Sequence, residues 1–246
     1  MKQHASLAAM VGLLVVLTGS AFAQSSEEFV KAFSGEWYVF DPDFRNGDQP
    51  CQISLETEAS GDRYVAAVKN CDAALASVAT WGILENQLGL FAGDGTPFAK
   101  LGGNQLRVTG ETLSSNIGLI FERAQGDGNN AQISAALRTY GCFFDGFSNQ
   151  CTSKADLGKP ALATDAAPEV KVIVNLNIRS QPRRNAQSIG VVSKDTCVKI
   201  NQCLSASDGV WCSAQFGDKT GWLSKTALRQ DKWPVITFRN SCSKDG

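Results

Sequence analysis

The chain has 246 residues, 23 Lys/Arg against 24 Asp/Glu, eight cysteines and a single histidine, His4. His4 falls in a segment that export would remove, so the mature chain carries no imidazole. That excludes the commonest general base, the Ser/His and Cys/His nucleophile pairs and nearly every catalytic zinc site. The near-zero net charge conceals two opposite halves: residues 24–168 hold 10 basic against 18 acidic side chains, a net of −8, and residues 169–246 hold 12 against 6, a net of +6.

Lys2, an apolar run over residues 7–17 and the small-x-small triplet Ala21-Phe22-Ala23 read as a signal peptide over residues 1–23. The run is too short to span a bilayer. Ser20 follows Leu17-Thr18-Gly19 where a lipoprotein would need cysteine. The mature chain is expected to begin at Gln24 and to be periplasmic or secreted, with no membrane span after signal removal. All eight cysteines lie downstream, and no CxxC pair occurs among them. In an oxidising compartment an even number of such cysteines points to structural disulfides rather than to a metal or redox site. No metal and no cofactor is expected.

Residues 27–33 can form a short amphipathic helix. From residue 34 to 123 the chain alternates in short runs cut by turn residues: 37–40, 51–55, 64–68, 88–91, 105–108 and 117–121 among them. About eight strands at this spacing read as an antiparallel barrel or sandwich, and a closed barrel leaves no edge strand exposed. Asp41-Pro42-Asp43 with Asn46-Gly47-Asp48 evokes a calcium loop, but its glycine is out of register and no closing glutamate follows, so it reads as a turn. Residues 124–169 form a different stretch. They hold a Gly/Asn loop, a short helix over 133–140, a small loop between Cys142 and Cys151, and an Ala/Asp/Pro-rich linker from 155. Residues 170–229 then place five or six very short strands in about 60 positions, a size at which bridges support a limited core.

In that last segment, Leu176-Asn177-Ile178-Arg179-Ser180-Gln181-Pro182, then Ile189-Gly190-Val191-Val192, a strand tryptophan (Trp211) and Gly221-Trp222-Leu223 resemble the bacterial SH3 (SH3b) family over residues 170–246. The resemblance implies a small β-barrel that binds peptidoglycan peptides or serves as an adaptor. Arg179, Arg183, Arg184, Trp211 and Trp222 are its candidate ligand surface; the tryptophans serve equally as barrel core. In the SH3b register Cys203 and Cys212 end one strand and start the next, and hairpin neighbours meet the separation a disulfide needs. That leaves Cys197 for Cys242, a bridge worth roughly 3–4 kcal/mol in the chain-entropy model. Cys142 pairs with Cys151 by elimination.

Residues 24–123 carry Phe33-Ser34-Gly35-x-Trp37, Cys51-x-Ile53-x-Leu55, Cys71, Trp81, Leu88-x-Leu90 and Asp94-Gly95 in an order that resembles the bacterial metalloprotease inhibitors typified by the alkaline protease inhibitor (Inh) family. The resemblance implies an eight-stranded barrel, a disulfide between Cys51 and Cys71, and an N-terminal trunk that enters the cleft of a serralysin-type zinc endopeptidase. The trunk would start at Gln24, Ser25, Ser26, Glu27 and Glu28 and run on to Phe33. It is acidic where relatives are more apolar.

The expected protein is therefore all-β, an eight-stranded antiparallel inhibitor-type barrel followed by a small SH3-like barrel, and not an enzyme. Its expected role is to block a secreted zinc metalloprotease while the SH3b module localises it. The alternative is a non-inhibitory envelope adaptor that binds peptidoglycan, an anionic envelope surface or protein partners. Nucleic acid is excluded by export and by the lack of a reader motif.

Overall fold

A computed structural model of the protein describes residues 26–126, 128–161 and 168–242. Its first element is α1 (Ser26–Phe33), with Glu27 and Glu28 in the first turn and Lys31 in the last, the charge order a helix dipole favours. Eight strands follow: β1 (Gly35–Val39), β2 (Cys51–Ser60), β3 (Arg63–Lys69), β4 (Val78–Leu84), β5 (Gln87–Ala92), β6 (Pro97–Gly103), β7 (Arg107–Thr112) and β8 (Gly118–Glu122). Each pairs antiparallel with the next. β8 returns to β1 with Tyr38 opposite Glu122, so the barrel is closed.

Strand alternation builds its core. On β2, Cys51, Ile53 and Leu55 are fully buried, while Gln52, Ser54 and Glu56 lie on the outer face. Trp37, Trp81, Leu88, Leu90, Val108, Leu119 and Phe121 join them. Strand β8 departs from alternation because all five of its residues are buried. A strand buried on both faces reads as a continuous apolar run, and here the outer face is covered by the second half of the chain.

That half begins with α2 (Asn129–Tyr140), closed by Gly141 in the left-handed region (φ 79°). Its strands are β9 (Phe144–Asp145), β10 (Glu169–Val172), β11 (Leu176–Arg179), β12 (Ser188–Val192), β13 (Cys197–Ala206), β14 (Gly209–Phe216), β15 (Lys219–Ser224), β16 (Thr226–Arg229), β17 (Trp233–Ile236) and β18 (Phe238–Arg239). Seven form one sheet in the order β12-β11-β15-β14-β13-β10-β18. The expected closure into a second small barrel is absent. After Ser224 the chain leaves this sheet: β16 and β17 pair with each other, and β17 takes β9 as a parallel partner. Gly221, in the Gly-Trp-Leu run, has a packing reason: a Cβ there would lie 2.1 Å from Ile178 Cγ2 on β11.

The stretch between the halves is structured beyond its expected loop and linker. Arg229 donates to the carbonyls of Gly146 and Ser148, and Asn240 bonds Asp156 and the carbonyl of Ala155. Residues 162–167, the rest of the expected linker, lie outside the described residues. Four disulfides join Cys51 to Cys71, Cys142 to Cys151, Cys197 to Cys242 and Cys203 to Cys212. Among the described residues no helix is long and apolar enough to cross a membrane.

Lys225 is fully buried beneath this second half, with its ammonium 2.5 Å from Asn240 Oδ1 and 4.5 Å from the Phe238 ring. Burial pulls its pKa from 10.5 down to about 8, against the opposing charge of Asp156. Between those values the unfolded chain holds the extra proton, so stability rises with pH through the window, by up to about 1.4 kcal/mol per unit. Urea denaturation from pH 7.5 to 10.5 should show this rise in the native protein, and Lys225→Met should flatten it.

Candidate functional site

The trunk expected from sequence is helical throughout its described residues. Gln24 and Ser25 lie outside the described residues. From Ser26 the backbone is helical to Phe33, one residue ahead of the helix expected over residues 27–33. Phe29 and Phe33 sit one turn apart with ring centroids at 4.7 Å, and each reaches a barrel tryptophan: Phe29 lies 6.4 Å from Trp81, and Phe33 6.5 Å from Trp37. An i, i+4 aromatic pair with a core to enter outweighs an extended conformation. Phe29 is the first buried side chain among the described residues, and Ser26, Glu27 and Glu28 ahead of it are exposed. Arg123, just beyond β8, fixes the helix end. Its guanidinium donates to the carbonyls of Ser34 (3.0 Å) and Glu36 (3.1 Å) and stacks over Trp37 at 3.9 Å.

Of the five residues expected to form an SH3b ligand surface, Arg179, Arg184 and Trp211 line one hollow, and Arg183 and Trp222 lie outside it. Trp211 is 1% exposed and belongs to the contact between the halves, where it packs with Ile120, Leu204 and Ala206. It is not available as a ligand platform. Alternation on β14 puts Val210, Cys212 and Ala214 in the second half's own core and turns Trp211 outward, onto the barrel. Arg184 is held beside it, with Nε 2.9 Å from Asp208 Oδ2 without hydrogen-bond alignment and Nη2 donating to the Thr226 carbonyl. Arg179 lines the same hollow as Arg184 and Trp211 and donates to the Ala186 carbonyl. Arg183 bonds Gln181 and Asn185. Trp222 is half-buried and lines a separate cleft between the halves.

What joins the halves was not anticipated from the sequence. Arg107 on β7 is fully buried and donates to Glu122 Oε1 (2.7 and 3.0 Å), to Asp208 Oδ1 (2.7 Å) and to the Pro182 carbonyl (2.8 Å). Glu122 also accepts from the Ser207 N–H and hydroxyl, and Asp208 accepts from Trp211 Nε1. Burial raises the Glu122 carboxyl above its ordinary pKa, against Arg107 and the Ser207 donors, which pull it down. Asp41 adds a second tie: it accepts from Ser205 N–H and from Lys159, whose ammonium also meets Asp43. The two carboxylates of the Asp41-Pro42-Asp43 turn thus share one lysine. A third tie runs from Gly118 N–H to Gln202 Oε1. The sequence signal for this face was Ile120, an apolar residue outward of Leu119 and Phe121.

Among the described residues the one close group of possible metal ligands is Glu169 with Cys197 and Cys242, and those two sulfurs are joined to each other. No family model matches the chain, and no curated protein matches it.

Arg107→Ala would leave Glu122 and Asp208 buried without their shared cation. A loss of about 3–5 kcal/mol is expected in urea denaturation. At Gly118, a Cβ would lie 2.7 Å from Gln202 Oε1 and 2.8 Å from Leu204 Cδ1. Gly118→Val should therefore push the halves apart. Small-angle scattering would read an increased radius of gyration, with the β signal of circular dichroism retained; an unchanged radius would speak against this docking.

Proposed function

We propose that the protein is an exported, inhibitor-like protein whose residues 24–28 occupy the active-site cleft of a secreted zinc endopeptidase. The observation that carries this reading is the position of Phe29. It is the first buried side chain of the described residues, and the exposed Ser26, Glu27 and Glu28 stand immediately ahead of it on a helix fixed to a closed barrel. A short segment held this way can fill a cleft as a substrate does, and its rigid support limits the ordering cost of binding. Carboxylates are also zinc ligands, so Glu27 and Glu28 suit a metal-bearing cleft. The resemblance of residues 24–123 to the Inh family points the same way, and occupying a cleft needs no histidine.

The second half is read as an SH3-like module that localises the protein at the cell envelope, in the periplasm or outside the cell. Its support is the SH3b-like run from Leu176 to Leu223 and the net charge of +6 over residues 169–246, which suits an anionic wall or lipid surface.

The test is a titration of a serralysin-type zinc endopeptidase with the chain from Gln24 and with a chain from Phe29, which keeps the buried aromatic. The longer chain should inhibit, and the shorter should lose about tenfold or more in affinity with an unchanged circular dichroism spectrum. Equal inhibition by the two, or inhibition by neither, would remove the trunk from the mechanism.

A further inference from the structure

We propose that the cleft between the two halves is a saccharide site that takes one or two rings of a neutral hexose or N-acetylhexosamine glycan. The cleft follows from the docking. The sheet lies against β7 and β8, and beyond them the barrel wall curves away, leaving a wedge of ≈ 320 Å³. That volume lies at the small end of ligand pockets. It uses none of residues 24–28, so it stands apart from the protease reading.

Trp222 forms part of one wall. It packs against the buried apolar cluster between the halves, so it is held in place before any ligand arrives. A preset aromatic surface costs little ordering on binding and matches the apolar C–H face of a pyranose. The rim of such a ring carries adjacent hydroxyls, each both donor and acceptor. Gln87 from the barrel and Gln181 from the second half meet this need, because a side-chain amide also offers both. They converge over a residue that has no side chain: a Cβ at Gly102 would sit 3.2 Å from Gln87 Nε2 and 3.9 Å from Gln181 Nε2.

Charge and topology choose the ligand class. Lys100 and Glu111 share the barrel wall, and Lys100 is paired with Glu85 at 2.6 Å, so the wall carries no excess positive charge. A neutral ligand fits it better than an anion. The cleft also has no strand edge to offer a peptide: β6 and β7 are paired on both sides within the barrel, and β11 and β15 are paired on both sides within the sheet. An extended peptide would therefore lack the main-chain ladder that such recognition uses.

The experiment is calorimetric titration of the full mature chain with N,N′-diacetylchitobiose and with cellobiose. At least one disaccharide should bind saturably with a Kd of about 1 mM or tighter. Trp222→Ala and, separately, Gln181→Ala should each weaken it about tenfold or more; the second change removes no buried apolar group and guards against misfolding of the first. Trp37, Trp81 and Trp211 are buried and the half-buried Trp233 does not line the cleft, so indole quenching on binding should come from Trp222 and vanish in Trp222→Ala. Absence of saturable binding by either sugar, or binding unchanged in both variants, would overturn the proposal. So would capture of a wall-type stem peptide with neither sugar binding.

Discussion

The structure depends on three charges taken out of water together, Arg107, Glu122 and Asp208, with the half-buried Arg184 at their edge. Arg107 and Glu122 come from the barrel, Asp208 and Arg184 from the second half, and the set is neutral as a whole. Each of these ions would be costly to bury alone, and their mutual attraction offsets that cost only while the geometry holds. The apolar contact beside them, Ile120 against Leu204, Ala206 and Trp211, is non-directional and by itself would tolerate sliding. The charges do not. Displacing the sheet along the barrel would strand Glu122 from Ser207 and Asp208 from Arg107 in a dry interface. The cluster therefore sets the register of two halves that the apolar patch merely holds together.

That register has consequences on two sides of the barrel. Arg123 lies one residue beyond Glu122, and it anchors the end of α1 through the Ser34 and Glu36 carbonyls and the Trp37 ring. Adjacent residues thus fix the second half on one side and the exposed N-terminal helix on the other. The same docking buries Trp211 and leaves Trp222 at the mouth of a cleft. A tryptophan that an isolated module would present to solvent becomes interface core here, so the surface available for binding differs from that of the module on its own.

The opposite net charges of residues 24–168 and 169–246 meet in the pair of Asp145 with Arg239. Lys159 reaches from the connecting stretch to Asp41 and Asp43 within the acidic part. The connecting stretch is a strap. Its Phe144–Asp145 strand completes the three-stranded sheet with β17, and the Cys142–Cys151 bridge closes the loop that carries it.

The sequence by itself determined the elements whose cause is local, such as the alternation of Cys51, Ile53 and Leu55 that makes a barrel strand. The helix over residues 27–33 was legible too, because Phe29 and Phe33 share a face. Only the tertiary structure decided that this helix starts at Ser26, that the second half stays open as β16 and β17 turn away to meet β9, and that Arg107, Glu122 and Asp208 share one buried site. These three are separated by up to 101 residues, and each alone reads as an ordinary polar residue near a strand end. A charge is recognisable as buried only once the surface that covers it is known, and that surface comes from a distant part of the chain.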